Sequence, residues 1–531
     1  MVLGGVAAVG VSLYPPRLDA RNHVRPARVN SDPGSREPAR RVDEAFHRLW
    51  AGRHVSPAQV APELAVVRRL SFGLTGTVPS LEELRGLDSV PEGRKAARHL
   101  DNLLTDRRSA DYLAERLARA YVGTEGGPFL IFRRRRFVSW LSDQVLADRP
   151  YDHLVRDLIA TDGLWTDRPA TNFLTVTYDP EKKIVNPDRV AGRVARAFLG
   201  ARLDCAQCHD HPFAPWTQRD FQGLAAFFGQ TRSGLTGIHD EKGLDYAPTD
   251  RKTGKPVVVR PRVPMSPELL PAEGHGSRRE RLAAWVTDPK NPHLARATVN
   301  RVWALMLGRP LVEPVDDLAA ADPLPEPLTI LADDFVAHGH DLHRLIRTIA
   351  ATEVFRLESA LPGADDATAQ AAEKAWAAFP LTRLRPEQVV GGLLQAATLR
   401  TIDADSPFLV RFARGVGEQN FVKRYGDSGE DEFDGVGGTI PQRLLMMNGD
   451  LVRDRTKPEI LNAAFRIASF APTDRAAVEI AYLTTLTRKP SADESRYFEA
   501  RLAGTRGKIR GIKTSDLIWT LVNSTEFSWN H

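Results

Sequence analysis

The chain has 531 residues, of which 42% are hydrophobic and 26% are charged, and its formal net charge at pH 7 is +5. This composition is typical of a soluble globular protein with more than one domain. The small basic excess does not form a basic tail, so it gives no reason to expect a nucleic-acid partner. Two cysteines are too few for the disulfide framework that stabilises small secreted proteins.

The first residues, "MVLGGVAAVGVSLYPP", form a short apolar run. The run is shorter than the roughly 20 residues that a membrane-spanning helix needs. It resembles the hydrophobic region of a signal peptide or the end of a membrane anchor, although no Lys or Arg precedes it. The following Pro-, Arg- and Ser-rich stretch is typical of a disordered linker. We therefore predict a leader or anchor plus linker over 1–41, and an exported protein of the periplasm or cell envelope.

A helical pattern begins at Val42 and continues to about residue 230, which predicts a first domain over 42–230. Ser80 before "LEEL" is a good N-cap with Glu83 at the capping-box position, and Thr217 is placed to cap "QRDFQGLAAFFG". The apolar spacing in "PDRVAGRVARAFLGARL" predicts one helix over 187–203 that leads directly to the cysteines. The cysteine segment is thus expected at a tight junction between two helices.

Turn signals around "VVVRPRV" predict an extended, β-containing connection over 231–275. Helical periodicity then returns and predicts a helical C-terminal domain over 276–531. The predicted fold class is therefore mainly α, with two helical domains joined by a short β-containing connection.

Both cysteines lie in "LDCAQCHDHPFAPW", where Cys205, Cys208 and His209 match the C-x-x-C-H pattern of c-type haem attachment. Two thiols at this spacing can add to the two vinyl groups of one porphyrin, and the adjacent histidine can bind the iron. Three alternatives stay open from the residues alone. A zinc or iron site could use the two cysteines with His209 or His211, the cysteines could form a redox-active or structural disulfide, or they could be buried thiols without a cofactor.

Two further groups of residues are candidates for a ligand pocket. Phe213 and Trp216 follow the motif and could form one wall of a pocket, or simply pack at a helix junction. Glu313, Asp316 and Asp317 in "LVEPVDDL" could share protons, bind a cation or cap the next helix.

Taken in order, several segments resemble a planctomycete family of exported proteins, which joins a cytochrome-C-like domain of unknown function to a second C-terminal domain of unknown function. The opening "VVRRLSFGLTGTVPSLEEL" resembles the start of that family. The segments "DCAQCHDHPFAPWTQRDFQGLAAFF" and "NRVWALMLGR" are the most specific matches. The segment "LARAYVGTEGGPFLIFRRRRF" departs from the family pattern, and we do not expect the separate N-terminal cytochrome domain that many members have.

The resemblance supports export, and it implies a setting of sulfatases and polysaccharide-degrading enzymes. Because no extra cytochrome domain is expected, any electron partner is expected to be another protein. The resemblance also keeps the two domains in one chain, and their connection is β-forming rather than Gly/Ser-rich. We therefore predict a fixed interface in which Trp303 and Met306 close a pocket near the cysteine loop, with Glu313, Asp316 or Asp317 on its polar side.

Together, these observations predict an exported c-type haem protein with an electron-transfer or redox role, linked to polysaccharide breakdown. Its cofactor would be haem c, with His209 as iron ligand. The alternative is a carbohydrate-active enzyme, a carbohydrate-binding protein or a cell-envelope interaction protein, with a structural CxxC or a zinc or iron site. The sequence does not decide whether the protein is an enzyme.

Overall fold

The structure is a computed structural model that describes residues 33–124, 132–182, 184–250, 253–403, 421–426, 433, 439–460 and 462–531. The described residues are mainly helical, which confirms the predicted fold class. In chain order the helices are α1 (Arg36–Arg53), α2 (Glu63–Thr75), α3 (Leu81–Gly86), α4 (Lys95–Leu104), α5 (Arg107–Val122), α6 (Arg134–Leu146), α7 (Tyr151–Ala160), α8 (Asn172–Thr175), α9 (Pro187–Val194), α10 (Gln218–Ala225), α11 (Arg278–Val286), α12 (Pro292–Leu307), α13 (Glu326–Ala337), α14 (Leu342–Ala351), α15 (Glu353–Arg356), α16 (Asp366–Lys374), α17 (Pro386–Ala396), α18 (Ile440–Asn448), α19 (Asp450–Thr456), α20 (Ala463–Phe470), α21 (Asp474–Leu486), α22 (Ala492–Leu502) and α23 (Gly507–Val522). The strands are β1 (Tyr178–Asp179), β2 (Ile184–Val185), β3 (Thr231–Gly234), β4 (Gly237–Asp240), β5 (Thr382–Arg383) and β6 (Trp529–Asn530).

The chain forms two compact units, each made of stretches that are separate in the sequence. The first unit contains Glu125–Arg193 and Asp204–Asp288, whereas the second contains Asp32–Thr124, Val194–Leu203 and Pro289–His531. The reason lies in the packing of the first helices. Helix α1 packs on α13, α2 packs on α12, and Phe46 stacks on Trp303 at 6.0 Å between ring centroids.

The first described helix starts earlier than the predicted domain boundary at Val42. Helix α1 begins at Arg36, and Pro38 and Ala39 in its first turn are buried. Arg344 Nη2 also donates a hydrogen bond to the carbonyl oxygen of Gly34 at 2.9 Å. Residues 33–41 therefore belong to the fold, while 1–32 of the predicted leader and linker lie outside the described residues.

The core of the second unit is built around α17, α20, α21 and α23 and includes fully buried Phe72 and Val78 from the N-terminal part of the chain. The predicted N-cap at Ser80 is confirmed, because its hydroxyl accepts from Glu83 N while the Glu83 carboxylate accepts from Ser80 N. Strands β5 and β6 pair antiparallel and bring the last described residues back to the middle of this unit.

The first unit contains a small sheet with strand order β1-β2-β3-β4, in which every neighbouring pair is antiparallel. The predicted connection over 231–275 is part of this unit. It supplies the hairpin β3–β4 and two further bridges, Tyr246 with Val259 and Thr249 with Pro256. Within the described ranges, no helix combines the length and the apolar character that crossing a membrane requires.

Candidate functional site

The segment before the cysteines is helical over a shorter range than predicted. Helix α9 continues through a π-helical turn over Ala195–Leu199 and stops at Gly200, whose φ is 59°. A side chain at this position would be strained, and a Cβ would also lie 2.9 Å from Leu318 Cγ. Leu318 N donates to Gly200 O at 2.8 Å. The predicted helix therefore ends before residue 203 because tertiary packing requires a left-handed residue here.

The two cysteines lie on a short 3₁₀ turn, Asp204–Gln207, and on the residue that follows it. Both thiols are free, and both cysteine residues are exposed. Between them, Ala206 is completely buried and anchors the turn to the first unit. At its start, a Cβ on Gly192 of α9 would lie 3.0 Å from Asp204 Oδ1, so glycine allows the turn to approach the helix. The turn therefore presents both sulfurs outward from a buried anchor.

The two histidines of the motif differ in which ring nitrogen is available. His209 Nδ1 lies 2.7 Å from the carbonyl oxygen of Asp210, and a carbonyl can only accept, so Nδ1 carries the proton. Phe213 N donates to His211 Nδ1 at 3.2 Å, so this Nδ1 has no proton, and neutral His211 carries its proton on Nε2. His209 therefore offers an Nε2 lone pair, while the Nδ1 lone pair of His211 is already used.

The loop after the motif is held by polar contacts to helix α10. Gln218 N donates to Asp210 Oδ1 at 2.8 Å, and Gln218 Nε2 donates to Gln207 O at 3.3 Å. The predicted N-cap at Thr217 is confirmed as a capping box with Asp220. The roles of Asp210 and Gln218 were not predicted. The only sequence signal for the role of Asp210 was its acidic side chain upstream of a helix N-terminus. The sequence gave no signal for the role of Gln218.

The aromatic residues of the loop have different surroundings. Phe213 is 95% exposed, whereas Trp216 is partly buried and its Nε1 makes no hydrogen bond to any described residue. A buried indole N–H normally has a partner. Trp216 thus adds an unsatisfied donor to the loop, and its place in the wall of a ligand pocket stays a prediction.

The residues of the turn fit a c-type haem. Attachment requires two accessible thiols at C-x-x-C spacing and one imidazole nitrogen with a free lone pair, and Cys205, Cys208 and His209 supply these groups. The hydrogen bond from His209 Nδ1 to a carbonyl is also the usual partner of a metal-binding histidine. A zinc or iron site of the alternative kind needs three or four protein ligands. Among the described residues, no three His, Cys, Asp or Glu side chains are grouped in this way.

Trp303 and Met306, the predicted closing residues of a shared pocket, belong to the second unit. Trp303 is completely buried, stacked on Phe46 and edge-on to Trp376 with ring centroids 5.4 Å apart. Met306 is also buried, and its Cα lies 3.4 Å from the position of a Cβ on Gly73. Both side chains contribute to the core of this unit, and the shared pocket stays a prediction.

The three acidic residues of "LVEPVDDL" also lie in the second unit and have different roles. Asp316 Oδ1 accepts from Arg202 Nε at 2.7 Å, and Glu313 is exposed. Asp317 precedes the 3₁₀ turn Leu318–Ala320, but its side chain makes no capping hydrogen bond. The carboxylate of Asp316 therefore binds an arginine of the segment that leads to the cysteines.

Comparison with known families assigns two regions of the chain. Residues 41–233 match a family model described as "Protein of unknown function (DUF1549)", and 278–428 match one described as "Protein of unknown function (DUF1553)". The cysteine turn lies within the first match, and Trp303 to Asp317 lie within the second. No curated protein and no solved structure matches the chain. The chain therefore joins an N-terminal DUF1549 domain to a C-terminal DUF1553 domain.

Proposed function

We propose that this chain is an exported c-type haem protein with an electron-transfer role, in which Cys205 and Cys208 attach the haem and His209 binds its iron. The observation that carries the proposal is the difference between the two histidines of the turn. His209 keeps its Nε2 lone pair for a metal because Nδ1–H donates to Asp210 O, and His211 uses its Nδ1 lone pair within the loop.

The position of the thiols supports covalent attachment. Each Cys S–H would add across one vinyl C=C bond, with the sulfur bonding to carbon and the proton going to the other vinyl carbon, so no group leaves. Both cysteines are exposed on a turn that buried Ala206 anchors, so they are accessible for this reaction. When bound, a c-type haem supplies one-electron transfer at its iron.

The surroundings of the turn support a rigid attachment point. Asp210 and Gln218 fix the backbone on either side of His209 to the start of α10. The imidazole is thereby oriented by a main-chain acceptor rather than by a mobile side chain. The exposure of the loop favours an electron partner that docks from outside, which fits a separate redox protein.

Export is part of the same proposal, since c-type haem is attached outside the cytoplasm in bacteria. The apolar run at the start of the sequence supports it. A link to polysaccharide breakdown rests on the family resemblance alone. The cellular fraction that contains the mature protein would test the export step.

The test is production of the full chain in a host that exports proteins and has the haem-maturation machinery. We expect an intact mass increased by one haem and a Soret band. The Cys205→Ala/Cys208→Ala variant should lose both signals. His209→Ala should keep any attached haem but change its spectrum, whereas His211→Ala, the matched control in the same loop, should leave the spectrum unchanged.

Two outcomes would count against haem attachment. An unmodified mass without a Soret band would leave the disulfide and non-haem metal alternatives, which thiol titration and metal analysis of the same sample would separate. Equal spectral effects of the two histidine variants would remove the assignment of His209 as the iron ligand.

A further inference from the structure

The second unit contains a cleft of about 1180 Å³ that the haem proposal does not use. Helices α2, α3 and α21 supply much of its lining. Apolar side chains form part of its walls: Leu64, Leu84, Leu87, Ile480 and Leu483. Pockets of about 300–1,000 Å³ hold organic ligands in many proteins, so this cleft has room for more than a simple ion.

Two adjacent arginines in the wall are buried, and one of them, Arg68, forms no ion pair with any described residue. Arg68 and Arg69 are each 1% exposed. Arg68 donates to the carbonyl oxygens of Thr485 at 3.0 Å and Phe527 at 3.4 Å. Arg69 donates to the carbonyl oxygens of Phe355 and Leu357, and its Nε donates to an oxygen of His531, the last described residue. The Arg68 guanidinium thus has only neutral partners, although a buried charge is costly without a counter-charge.

Four of the acidic residues that line the cleft have partners of their own. Glu92 pairs with Lys95, Glu479 with Lys489, and Glu526 with Arg488. The Glu63 carboxylate accepts hydrogen bonds from the main-chain N–H groups of Gly93 and Ala96.

Burial lowers the pKa of Arg68 to about 10 and that of Arg69 to about 9. The charge of Glu526 attracts Arg68 and the charge of Glu358 attracts Arg69, in each case without a hydrogen bond. Within the part of the chain that the structure describes, no carboxylate forms a hydrogen bond with Arg68, so its positive charge is not neutralised by a bonded group.

The same wall carries unsatisfied polar atoms and a strained residue. Arg68 Nε, Ser359 Oγ and Thr487 Oγ1 are buried and make no hydrogen bond to a described residue, and all three residues line the cleft. Thr487 ends α21 with φ 59°, a left-handed conformation that a β-branched residue rarely adopts. Such strain costs about 1–3 kcal/mol and is typical of ligand-binding sites.

We propose that this cleft binds a small organic anion that has a carboxylate group and an apolar body. The carboxylate would supply the missing counter-charge for Arg68, and the hydroxyls of Ser359 and Thr487 are further donors in the same lining. The apolar body would cover the leucine and isoleucine side chains of α2, α3 and α21. This binding is separate from the haem proposal and does not depend on it.

The test uses sodium octanoate as the probe on the full chain, with thermal unfolding and calorimetry as readouts. Octan-1-ol supplies the same tail without the charge, and acetate supplies the charge without the tail. We expect saturable binding of octanoate that raises the unfolding temperature, with at least a tenfold weaker response to either partial probe. Leu483→Trp, which fills the cleft, should abolish the octanoate response. Ile440→Trp, at a position 77% exposed on α18, is the control and should keep it.

A second variant separates a ligand role of Arg68 from a purely structural one. Arg68→Met keeps the length of the side chain and removes the charge. If the folded variant loses the preference for octanoate over octan-1-ol, the charge recognises the anion. If the preference were unchanged, Arg68 would serve only as a hydrogen-bond donor to the Thr485 and Phe527 carbonyls, and the proposal would be overturned. The proposal would also fail if octanoate did not bind, or if it bound Leu483→Trp equally well.

Discussion

The Tyr246 hydroxyl donates a hydrogen bond to the carboxylate of Asp188 across 2.5 Å and joins the β-containing segment to the first turn of α9. Helix α9 leads toward the cysteine turn, so this bond supports the element before the candidate site. Burial, together with the hydrogen bond and charge of Asp188, raises the pKa of Tyr246, so its hydroxyl keeps the proton that it donates.

Tyr246→Phe removes this bond and leaves the ring in place. We expect a loss of about 2 kcal/mol in the free energy of unfolding, because hydrogen bonds to charged groups contribute about 1.5–3 kcal/mol. Denaturant unfolding of the full chain measures it. Tyr497→Phe, at a residue 57% exposed, is the control and should change stability by less than about 0.5 kcal/mol. Equal effects of the two variants would show that the bond contributes nothing.

Asn300 gives a second test, since its completely buried side chain makes three hydrogen bonds to one loop. Its Nδ2 donates to Val312 O and Val315 O, and its Oδ1 accepts from Val312 N. Asn300→Ala should cost about 3 kcal/mol, at about 1 kcal/mol for each bond. Asn300→Asp should cost at least as much, because a carboxylate oxygen would face two carbonyls.

The control for this pair is Asn448→Ala at an exposed position, with an expected change within about 0.5 kcal/mol. Thermal unfolding of all three variants ranks them. A mild effect of Asn300→Asp would contradict the donor role assigned to Nδ2.

Asp43 predicts a pH dependence. Burial is the main cause that raises the pKa of this carboxyl to about 6, and its Oδ1 accepts from Glu353 N. The Asp43 carboxyl has a higher pKa in the folded protein, about 6, than in the unfolded chain, 3.8, so the protonated carboxyl favours the fold. This contribution to stability is complete below pH 3.8 and is lost as the pH rises through about 6. Asp43→Asn should therefore stabilise the protein at pH 7.5 by about 1 kcal/mol, since partial solvation screens the effect.

At pH 4 the same variant should have nearly wild-type stability, because Asp43 is then largely protonated in the folded protein. Glu44→Gln on the exposed part of α1 is the matched control for helix position. Stabilisation of equal size at both pH values would rule out ionisation of Asp43 as the cause.

Gly192 and Gly52 form a pair of helix glycines with opposite expectations. Alanine usually stabilises a helix by about 1 kcal/mol relative to glycine. At Gly52 no atom lies within 4 Å of the added Cβ, so Gly52→Ala should show this gain. At Gly192 the Cβ would press on Asp204 Oδ1, so Gly192→Ala should lose the gain and cost about 1 kcal/mol.

Denaturant midpoints compare the two glycine variants directly. The rate at which Cys205 and Cys208 react with a thiol reagent would report whether the turn has moved. If both alanines stabilised equally, the contact with Asp204 Oδ1 would not restrict a side chain at position 192.

Local signals predicted the helix starts well. The caps at Ser80 and Thr217 follow from side-chain chemistry within four residues, so the sequence contains the whole interaction. The end of the helix before the cysteines was missed because Gly200 adopts its conformation against Leu318, far along the chain. An apolar stripe also does not identify its partner, and for this reason the contact between Phe46 and Trp303 was not predicted.

The C-x-x-C-H spacing predicts Cys205, Cys208 and His209 as the candidate site, but it does not say which nitrogen of His209 or His211 is free. That distinction depends on whether the nearest backbone group is an acceptor or a donor. The cleft between α2, α3 and α21 left no continuous signal in the sequence, since residues distant in the chain supply its lining.

The second unit begins near the N-terminus and is completed only by the last strand, β6. During synthesis, helices α1 and α2 leave the ribosome well before their packing partners α13 and α12 exist. Their apolar faces must stay exposed or covered by chaperones until the rest of the chain follows. A fragment cut at the family boundaries, such as 41–233, would contain most of α1 and all of α2 without those partners, and we expect it to aggregate.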